Sequence, residues 1–413
     1  MKILHTSDWH LGRTLYGKKR YAEFEAFLNW LNIEIDTRLP DLVIIAGDIF
    51  DTTTPSNRAQ ELYYQFLCRV AASDACPHIA VIGGNHDSPT LLNAPKQLLK
   101  QLKIHVIGGV ANDYRDEVIQ LTDKTGRLQG ILCAIPYLRD RDIRGLEEYE
   151  LAESKDKNFM HAIKEHYHKV CEYAESLRQQ ATDFSVPIIA TGHLFATGGK
   201  TLKDDGVREL YIGSLAQFGA DDFPTNIDYL ALGHLHIAQQ IGDKANYRYS
   251  GSPIAMGFGE AMHPKIILEV DITACNACVN EITVPTFQRL ARVSGDMESI
   301  KRQLTKLATE NQSIWIEVDY TGTAIITNLQ HELQMVTQNT LLDLVKIRNS
   351  QLLAQVLSSS EYADGIELND LTPQQVFAKC LQLNEIPDEQ RVELTDCFNE
   401  ILLTLTTHDH KAE

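Results

Sequence analysis

A layered α/β fold is the class this sequence predicts, on three observations. Over roughly the first 110 residues, short β-branched apolar runs alternate with stretches of helical apolar spacing, the pattern of strands separated by amphipathic helices. Five of the apolar runs end directly in tips rich in Asp, Asn and His. A chain of 413 residues is too long for one small core, which makes two or three domains the expectation.

Taken in order, Lys2 to Ser7 reads as the first strand and ends in Asp8-Trp9-His10. Tyr21 to Ile35 follows as a helix with Phe24, Phe27, Leu28, Leu31 and Ile35 on one face. Leu42 to Ala46 is the next strand, ending in Gly47-Asp48-Ile49-Phe50-Asp51, and Arg58 to Val70 the next helix. His78 to Ile82 is a core strand stopped by a glycine pair, which lets the backbone turn tightly into Asn85-His86-Asp87. Ser88-Pro89 then supplies an N-cap and a proline at the first helical position. Two shorter β-like segments, 117–121 and 130–135, mark a change of sheet arrangement. Residues 146–181 form one long charged helix, on which His161, His166 and His168 read as surface residues. Strands resume with Pro187 to Thr191, ending in Gly192-His193, and Tyr229 to Leu232, ending in Gly233-His234-Leu235-His236. The 195–228 connection between them is long enough to cover or flank a site. Further strands are expected at 247–250 and 265–272.

After about residue 285 the chemistry-bearing residues stop. A strand, a helix over Met297 to Glu310, a strand over Ile314 to Val318 and a second helix make a small α+β unit at 285–350. Residues 351–370 read as a polar linker. The tail, 371–406, is two amphipathic helices, the first opened by the capping box of Thr372-Pro373-Gln374-Gln375. Phe377, Leu381, Phe398 and Leu402 are among its apolar positions. Two short helices on a linker cannot bury that surface alone; they dock either on the same chain or, as we prefer, on a partner.

Composition narrows the function. A hydrophobic content of 44% with 23% charged residues is that of an ordinary soluble globular protein. The amino terminus lacks a signal-peptide core and no apolar run approaches a membrane span, which predicts a cytoplasmic protein. Scattered cysteines suit free thiols in a reducing compartment, and Cys275-Asn276-Ala277-Cys278 reads as a turn more readily than a metal or redox pair. A net charge of −18 argues against broad non-specific nucleic-acid binding. A local basic rim is still available: Arg13, Lys18, Lys19 and Arg20 follow the first polar tip, and Arg139, Arg141 and Arg144 form a second group.

The polar tips hold seven candidate ligands: Asp8, His10, Asp48, Asn85, His193, His234 and His236. Mixed carboxylate, amide and imidazole donors suit Mn²⁺, Fe²⁺ or Zn²⁺ better than Mg²⁺ alone. Seven is too many for one ion and right for two that share a carboxylate, with Asp48 the natural bridge. Such a pair clamps a phosphate and activates a water. His86, beside a ligand, can protonate a leaving alkoxide, with Asp51 or Asp87 holding its tautomer.

Asp8-x-His10, Gly47-Asp48-x-x-Asp51, Gly84-Asn85-His86-Asp87, Gly192-His193 and Gly233-His234-x-His236 together resemble the calcineurin-like metallophosphoesterase family. Within it, His5-Thr6-Ser7-Asp8-Trp9-His10-Leu11-Gly12-Arg13, Tyr211-Ile212-Gly213-Ser214 and the tail are similar to bacterial SbcD-type nuclease subunits. The resemblance implies an α/β/β/α sandwich over 1–284, a small capping domain at 285–350 and a tail that binds the SbcC ATPase. It implies Asp8, His10, Asp48 and His236 on one Mn²⁺, with Asp48, Asn85, His193 and His234 on the other. His86 matches the catalytic histidine. It further implies a homodimer, joined near 57–72 and 88–102, that makes up two of the four subunits of a complex with SbcC. The implied activity is ATP-dependent exonuclease action on duplex ends and cleavage of hairpins, in DNA repair, recombination and replication. With so acidic a chain, the ATPase partner is expected to supply most of the grip on DNA.

Two other readings use the same residues. A nucleotidase or protein phosphatase needs neither the 285–350 unit nor the tail, and a binding scaffold with a dead centre has no need of a complete ligand set. Hydrolysis of linear duplex only with ATP and partner separates the first, and metal content the second.

Overall fold

In a computed structural model, which describes residues 1–73, 75–143, 152–181, 185–196, 218–322, most of 324–349 and a few positions between 374 and 399, the apolar runs build two large sheets. The chain starts with β1 (Lys2–Thr6), a two-residue ribbon of β2 (Thr14–Leu15) and β3 (Lys18–Lys19), α1 (Tyr21–Arg38), β4 (Leu42–Ala46), α2 (Asn57–Ala72) and β5 (His78–Ile82). Short helices α3 (Pro89–Asn93) and α4 (Lys96–Gln101) lead to β6 (Ile104–Ile107). Next come β7 (Val118–Thr122), β8 (Leu128–Cys133), α5 (Asp140–Ile143), α6 (Ala152–Gln180), β9 (Ile188–His193) and β10 (Tyr229–Gly233). Then follow β11 (Gln239–Ile241), β12 (Lys244–Tyr249), β13 (Ile266–Thr273) and β14 (Asn276–Thr283).

The first sheet has the order β14-β13-β1-β4-β5-β6 and the second β11-β12-β10-β9-β8-β7. Strands β1, β4, β5 and β6 run parallel, as do β8, β9, β10 and β12. Parallel sheets need both faces covered, and the side-chain alternation supplies two apolar faces. Leu4, Val43, Ile45 and Val81 point to α1 and α2, packing on Phe24, Phe27, Leu31 and Phe66. Ile3, Ile44, Ala46 and Ile82 point the other way and meet Leu132, Ile189, Tyr229 and Ala231 of the second sheet. The outer face of that sheet is covered by α6 through Phe159, Ile163, Tyr167 and Val170. The result is four layers, α/β/β/α. Parallel strands place their carboxyl ends on one edge of a sheet, so the tips of β1, β4 and β5 are neighbours, as are those of β9 and β10.

Several sequence expectations shift in detail. Helix α1 runs on to Arg38, where Leu39 at φ 51° ends it before Pro40. His166 is not a plain surface residue: its Nε2 lies 2.7 Å from Oε2 of the fully buried Glu117, so it ties α6 to the segment before β7. His161 and His168 are exposed. Ala274 and Cys275, both left-handed, form the tight turn between β13 and β14, and the Cys275 thiol reaches the Ser185 carbonyl. Residues 197–217 of the 195–228 connection, which include Gly198, Gly199 and the Tyr211–Ser214 motif, and Arg144 lie outside the described residues. No helix among the described residues is long and apolar enough to cross a membrane.

A second compact unit covers Leu290–Glu413. Its three-stranded sheet is β15 (Arg289–Gly295), β16 (Ile314–Tyr320) and β17 (Leu342–Asn349), with α7 (Met297–Ala308) and α8 (Leu329–Thr337) packed on Ile316, Val318 and Leu342. Strand β17 is an addition to the elements expected from sequence. Its side chains are mostly half-buried, so it lacks the apolar run that marks a core strand. In the tail the Phe377 and Phe398 rings stack at 4.0 Å and Leu381 is buried, whereas the capping box falls almost wholly outside the described residues.

Trp9 anchors the first polar tip to the helical layer. It is fully buried, edge-on to Phe27 and Phe66, and its indole N–H donates to Thr6 Oγ1 at 2.9 Å. Trp9→Ala is expected to cost about 3–5 kcal/mol of stability, read by urea unfolding; a loss below about 1 kcal/mol would contradict this anchoring.

Candidate metal centre

The candidate ligands lie where the chain leaves the parallel strands, and four of them hold a conformation that side chains avoid. Asp8, His10, Asp48 and His234 have φ of 54°, 47°, 51° and 100°. Each such residue costs roughly 1–3 kcal/mol unless its surroundings enforce it. Here hydrogen bonds between loops do so. The Asp8 amide donates to the Gly47 carbonyl and the His10 amide to the Asp48 carbonyl, both at 3.0 Å. The His234 amide donates to Asp8 Oδ1 at 2.9 Å and the His86 amide to Asp48 Oδ1 at 2.8 Å. Such close approach needs glycine at two points. A Cβ on Gly84 would lie 2.2 Å from Asp48 Oδ1, and one on Gly47, itself at φ 91°, 2.2 Å from His193 Nδ1.

All seven side chains converge. His193 Nδ1–H donates to the Ala46 carbonyl at 2.9 Å, which leaves Nε2 facing Asn85 Oδ1 at 3.0 Å and Asp48 Oδ2 at 3.3 Å. His234 Nδ1 is 3.1 Å from the same Asn85 oxygen. On the other side of Asp48, His10 Nε2 is 3.6 Å from Oδ2 and 3.1 Å from His236 Nε2. Asp8 is buried and accepts from the Ser7 hydroxyl at 2.5 Å, with Ser250 Oγ backing Ser7 at 2.8 Å. Among the described residues, three sets of side chains have donor atoms close enough to hold an ion: Asp8, His10 and His236; Asp8, Asp48 and His193; and His10, Asp48 and His86.

The His10–His236 contact tests whether a cation fits. Behind each ring, 3.4 Å from Nδ1, stands a carboxylate, Asp51 for His10 and Glu260 for His236. Protons drawn to both Nδ1 atoms leave two lone pairs aimed at each other, which a cation between them relieves. Neighbouring charges and burial set the protonation of these groups in opposite directions. Burial works against the Asp48 carboxylate, yet His193 and His10 hold it well below the usual carboxylate range. Burial also opposes a charged His193, but Asp48 raises it to about 9. Burial outweighs Asp51 and Asp48 and lowers His10, whereas Glu260, with Asp8, overcomes burial and raises His236. Burial likewise opposes Glu260, yet Lys265 and His236 lower it to about 2.

The structure revises the expected support for His86. Its Nδ1 lies 2.7 Å from the main-chain carbonyl of Asp51, not from either expected carboxylate. The Asp51 carboxylate faces His10 and Arg13 instead. Asp87 is fully buried and staples two loops, accepting from the amides of Gly84, Ile49 and Phe50 at 2.9, 3.1 and 3.0 Å. Burial and the Asp48 charge push the Asp87 carboxyl up to about 7 against those donors. The basic rim is thinner than expected. Arg20 is buried on Glu23, Arg13 is paired with Asp51, and Arg139 donates to the Asp87 carbonyl; Lys19 and Arg141 are exposed.

A family model described as calcineurin-like phosphoesterase matches residues 1–238. The chain belongs to the calcineurin-like phosphoesterase family. A second model, described as the type 5 capsule protein repressor C-terminal domain, matches 286–385. The chain is similar along its whole length to the Escherichia coli K12 protein named as the SbcD subunit of nuclease SbcCD, at 34% identity over 100% of both chains. Proteins of the same name from Rhodobacter capsulatus and Bacillus subtilis are 33% and 34% identical over 69% and 66% of each chain. Calcineurin-like phosphoesterases use divalent metals, and the buried donor set described above suits them. Sequence reading missed Glu260 and Ser250 in this phosphoesterase centre. Glu260 lies on a loop away from any strand end, and Ser250 follows a strand of mixed polarity that carries no Asp, Asn or His tip, so only the fold brings them in.

Asp87→Ala strands three buried amides, and we expect it to lose about 3 kcal/mol or more of stability. Asp87→Asn keeps one acceptor and should lose less. Guanidinium unfolding of both variants measures this, and an alanine variant as stable as the parent would refute the staple.

Proposed function

We propose that this chain is the nuclease subunit of an SbcCD-type complex, hydrolysing DNA phosphodiester bonds at a centre for two divalent ions, most readily Mn²⁺. The observation that carries this reading is Asp48 Oδ2, which faces His193 Nε2 on one side and His10 Nε2 on the other. In this reading Asp8, His10, Asp48 and His236 hold one ion, and Asp48, Asn85, His193 and His234 the other. Ions held there would draw negative charge from a bound phosphate and make a water more acidic. The chain's own residues then divide the work. Asp48 binds on both sides, the strained loops fix the donors in advance, and burial of the imidazoles keeps bulk water from replacing them. His86 acts as the proton donor to the leaving alkoxide. The Asp51 carbonyl takes its Nδ1–H and leaves Nε2 as the working atom. Asp51 therefore contributes to catalysis through its main chain and by orienting His10.

For the whole chain we propose a nuclease domain at 1–284, a capping domain at 285–350, a linker at 351–370 and a two-helix segment at 371–406 that binds the SbcC ATPase. The second family model, which begins at residue 286, supports the boundary near 285. The proposed assembly is two copies of each subunit in the cytoplasm, with two copies of this chain in contact. The proposed activity is ATP-dependent degradation of duplex ends and opening of hairpins, in repair, recombination and replication. The net charge of −18 and the thin basic rim support a partner that supplies most of the hold on DNA.

His86→Ala should keep both metals and DNA binding while cleavage falls roughly 10²–10⁴-fold, measured on linear and hairpin DNA with Mn²⁺ beside metal analysis. Loss of metal would show that His86 is a ligand. Deleting 371–413 should abolish co-purification with the ATPase and spare hydrolysis of a simple phosphodiester. Normal co-purification would overturn the proposed docking segment. Activity confined to mononucleotides, with or without ATP and partner, would favour a nucleotidase.

A further inference from the structure

Glu260 stands apart from every strand tip that supplies the centre, on the loop between β12 and β13. It is nevertheless fully buried, and its two oxygens are treated differently. Oε2 is fastened by the Lys265 ammonium, by the Met256 amide at 3.1 Å and by the Ser252 hydroxyl at 3.2 Å. Lys265 in turn donates to the His236 carbonyl at 3.1 Å and to Ser252 Oγ at 2.9 Å, so one ion pair grips the main chain of His236. Oε1 has no hydrogen-bond partner and faces His236 Nδ1 at 3.4 Å. A buried carboxylate oxygen without a donor is costly, and a proton on His236 Nδ1 is the donor within reach. A proton there leaves the lone pair on Nε2, the atom that meets His10.

We infer that Glu260, clamped by Lys265, is the positioning residue of His236, fixing its Nδ1–H tautomer and aiming Nε2 at the donor cluster of Asp8 and His10. The inference rests on the metal-centre reading for its purpose, but the tautomer it assigns belongs to the chain alone. Asp51 has the same relation to His10, with a difference. Its side chain is 26% exposed and shared with Arg13, whereas Glu260 is sealed and committed to one ring. An amide at 260 can still accept from Nδ1 but leaves the Lys265 charge unpaired; alanine removes both interactions.

The test uses full-length protein with ¹⁵N-labelled histidine, comparing the parent with Glu260→Gln, Glu260→Ala and Lys265→Met. In metal-free parent protein, at a pH alkaline enough for the ring to be neutral, the His236 signals should report a protonated Nδ1 and a bare Nε2. Glu260→Ala should give a mixture of tautomers, and calorimetry with Mn²⁺ should show one class of site weakened roughly 10–100-fold and the other little changed. Glu260→Gln should fall between parent and alanine. A folded Glu260→Ala with the parental tautomer and parental Mn²⁺ affinity overturns the inference, even if its unfolding midpoint drops. If the parent takes up no Mn²⁺, the metal-centre reading fails, and the ring signals still decide what Glu260 does. If the alanine variant does not fold, Lys265→Met, which loosens the clamp without touching the ring contact, should shift the same signals; unchanged signals overturn the inference.

Discussion

Asp48 is the residue on which the rest of the site depends. One carboxylate oxygen accepts the His86 amide and the other faces His10 and His193, while the Asp48 carbonyl accepts the His10 amide. Three loops from two sheets are therefore held to one side chain. A buried carboxylate is unfavourable alone, because burial removes its hydration. Imidazoles on two sides offset that cost, and metal ions at the same atoms would offset it more fully.

This arrangement requires a rigid frame, and the sandwich provides it. β1, β4 and β5 are adjacent in one sheet and β9 and β10 in the other, with a continuous apolar layer between them. Parallel strands send all their carboxyl ends to one edge, so two face-to-face sheets bring five polar tips to one place. The left-handed ligands are the counterpart of that rigidity. Their strain persists because inter-loop hydrogen bonds, the Asp87 staple and the glycines at 47 and 84 leave the loops no relaxed alternative.

Support for the donor rings is divided among unlike groups. The Ala46 carbonyl orients His193, the Asp51 carboxylate lies behind His10, the Asp51 carbonyl receives His86, and Glu260 lies behind His236. A single residue, Asp51, thus serves two histidines through two different parts of itself. Pairing residues by charge alone would assign its carboxylate to His86, and the backbone geometry contradicts that.

Much of this was legible in the order of residues alone. Strand and helix repeats are local, because side-chain direction follows a period of two or of 3.6. That is why the strands ending at Asp8, Asp48, Asn85, His193 and His234, and the helices between them, could be read directly. Donor chemistry is also a property of residue types, which pointed to divalent ions. Other features depend on atoms far apart in the chain. Strand β17 is only half-buried and carries no apolar run, Arg20 looked like a basic rim until packing buried it on Glu23, and His166 looked exposed until Glu117 met it. Which carboxylate stands behind which imidazole was decided only by the approach of loops such as 8–10, 48–51 and 256–260. That approach is set by sheet order and by where a missing Cβ leaves room, and no local pattern encodes either.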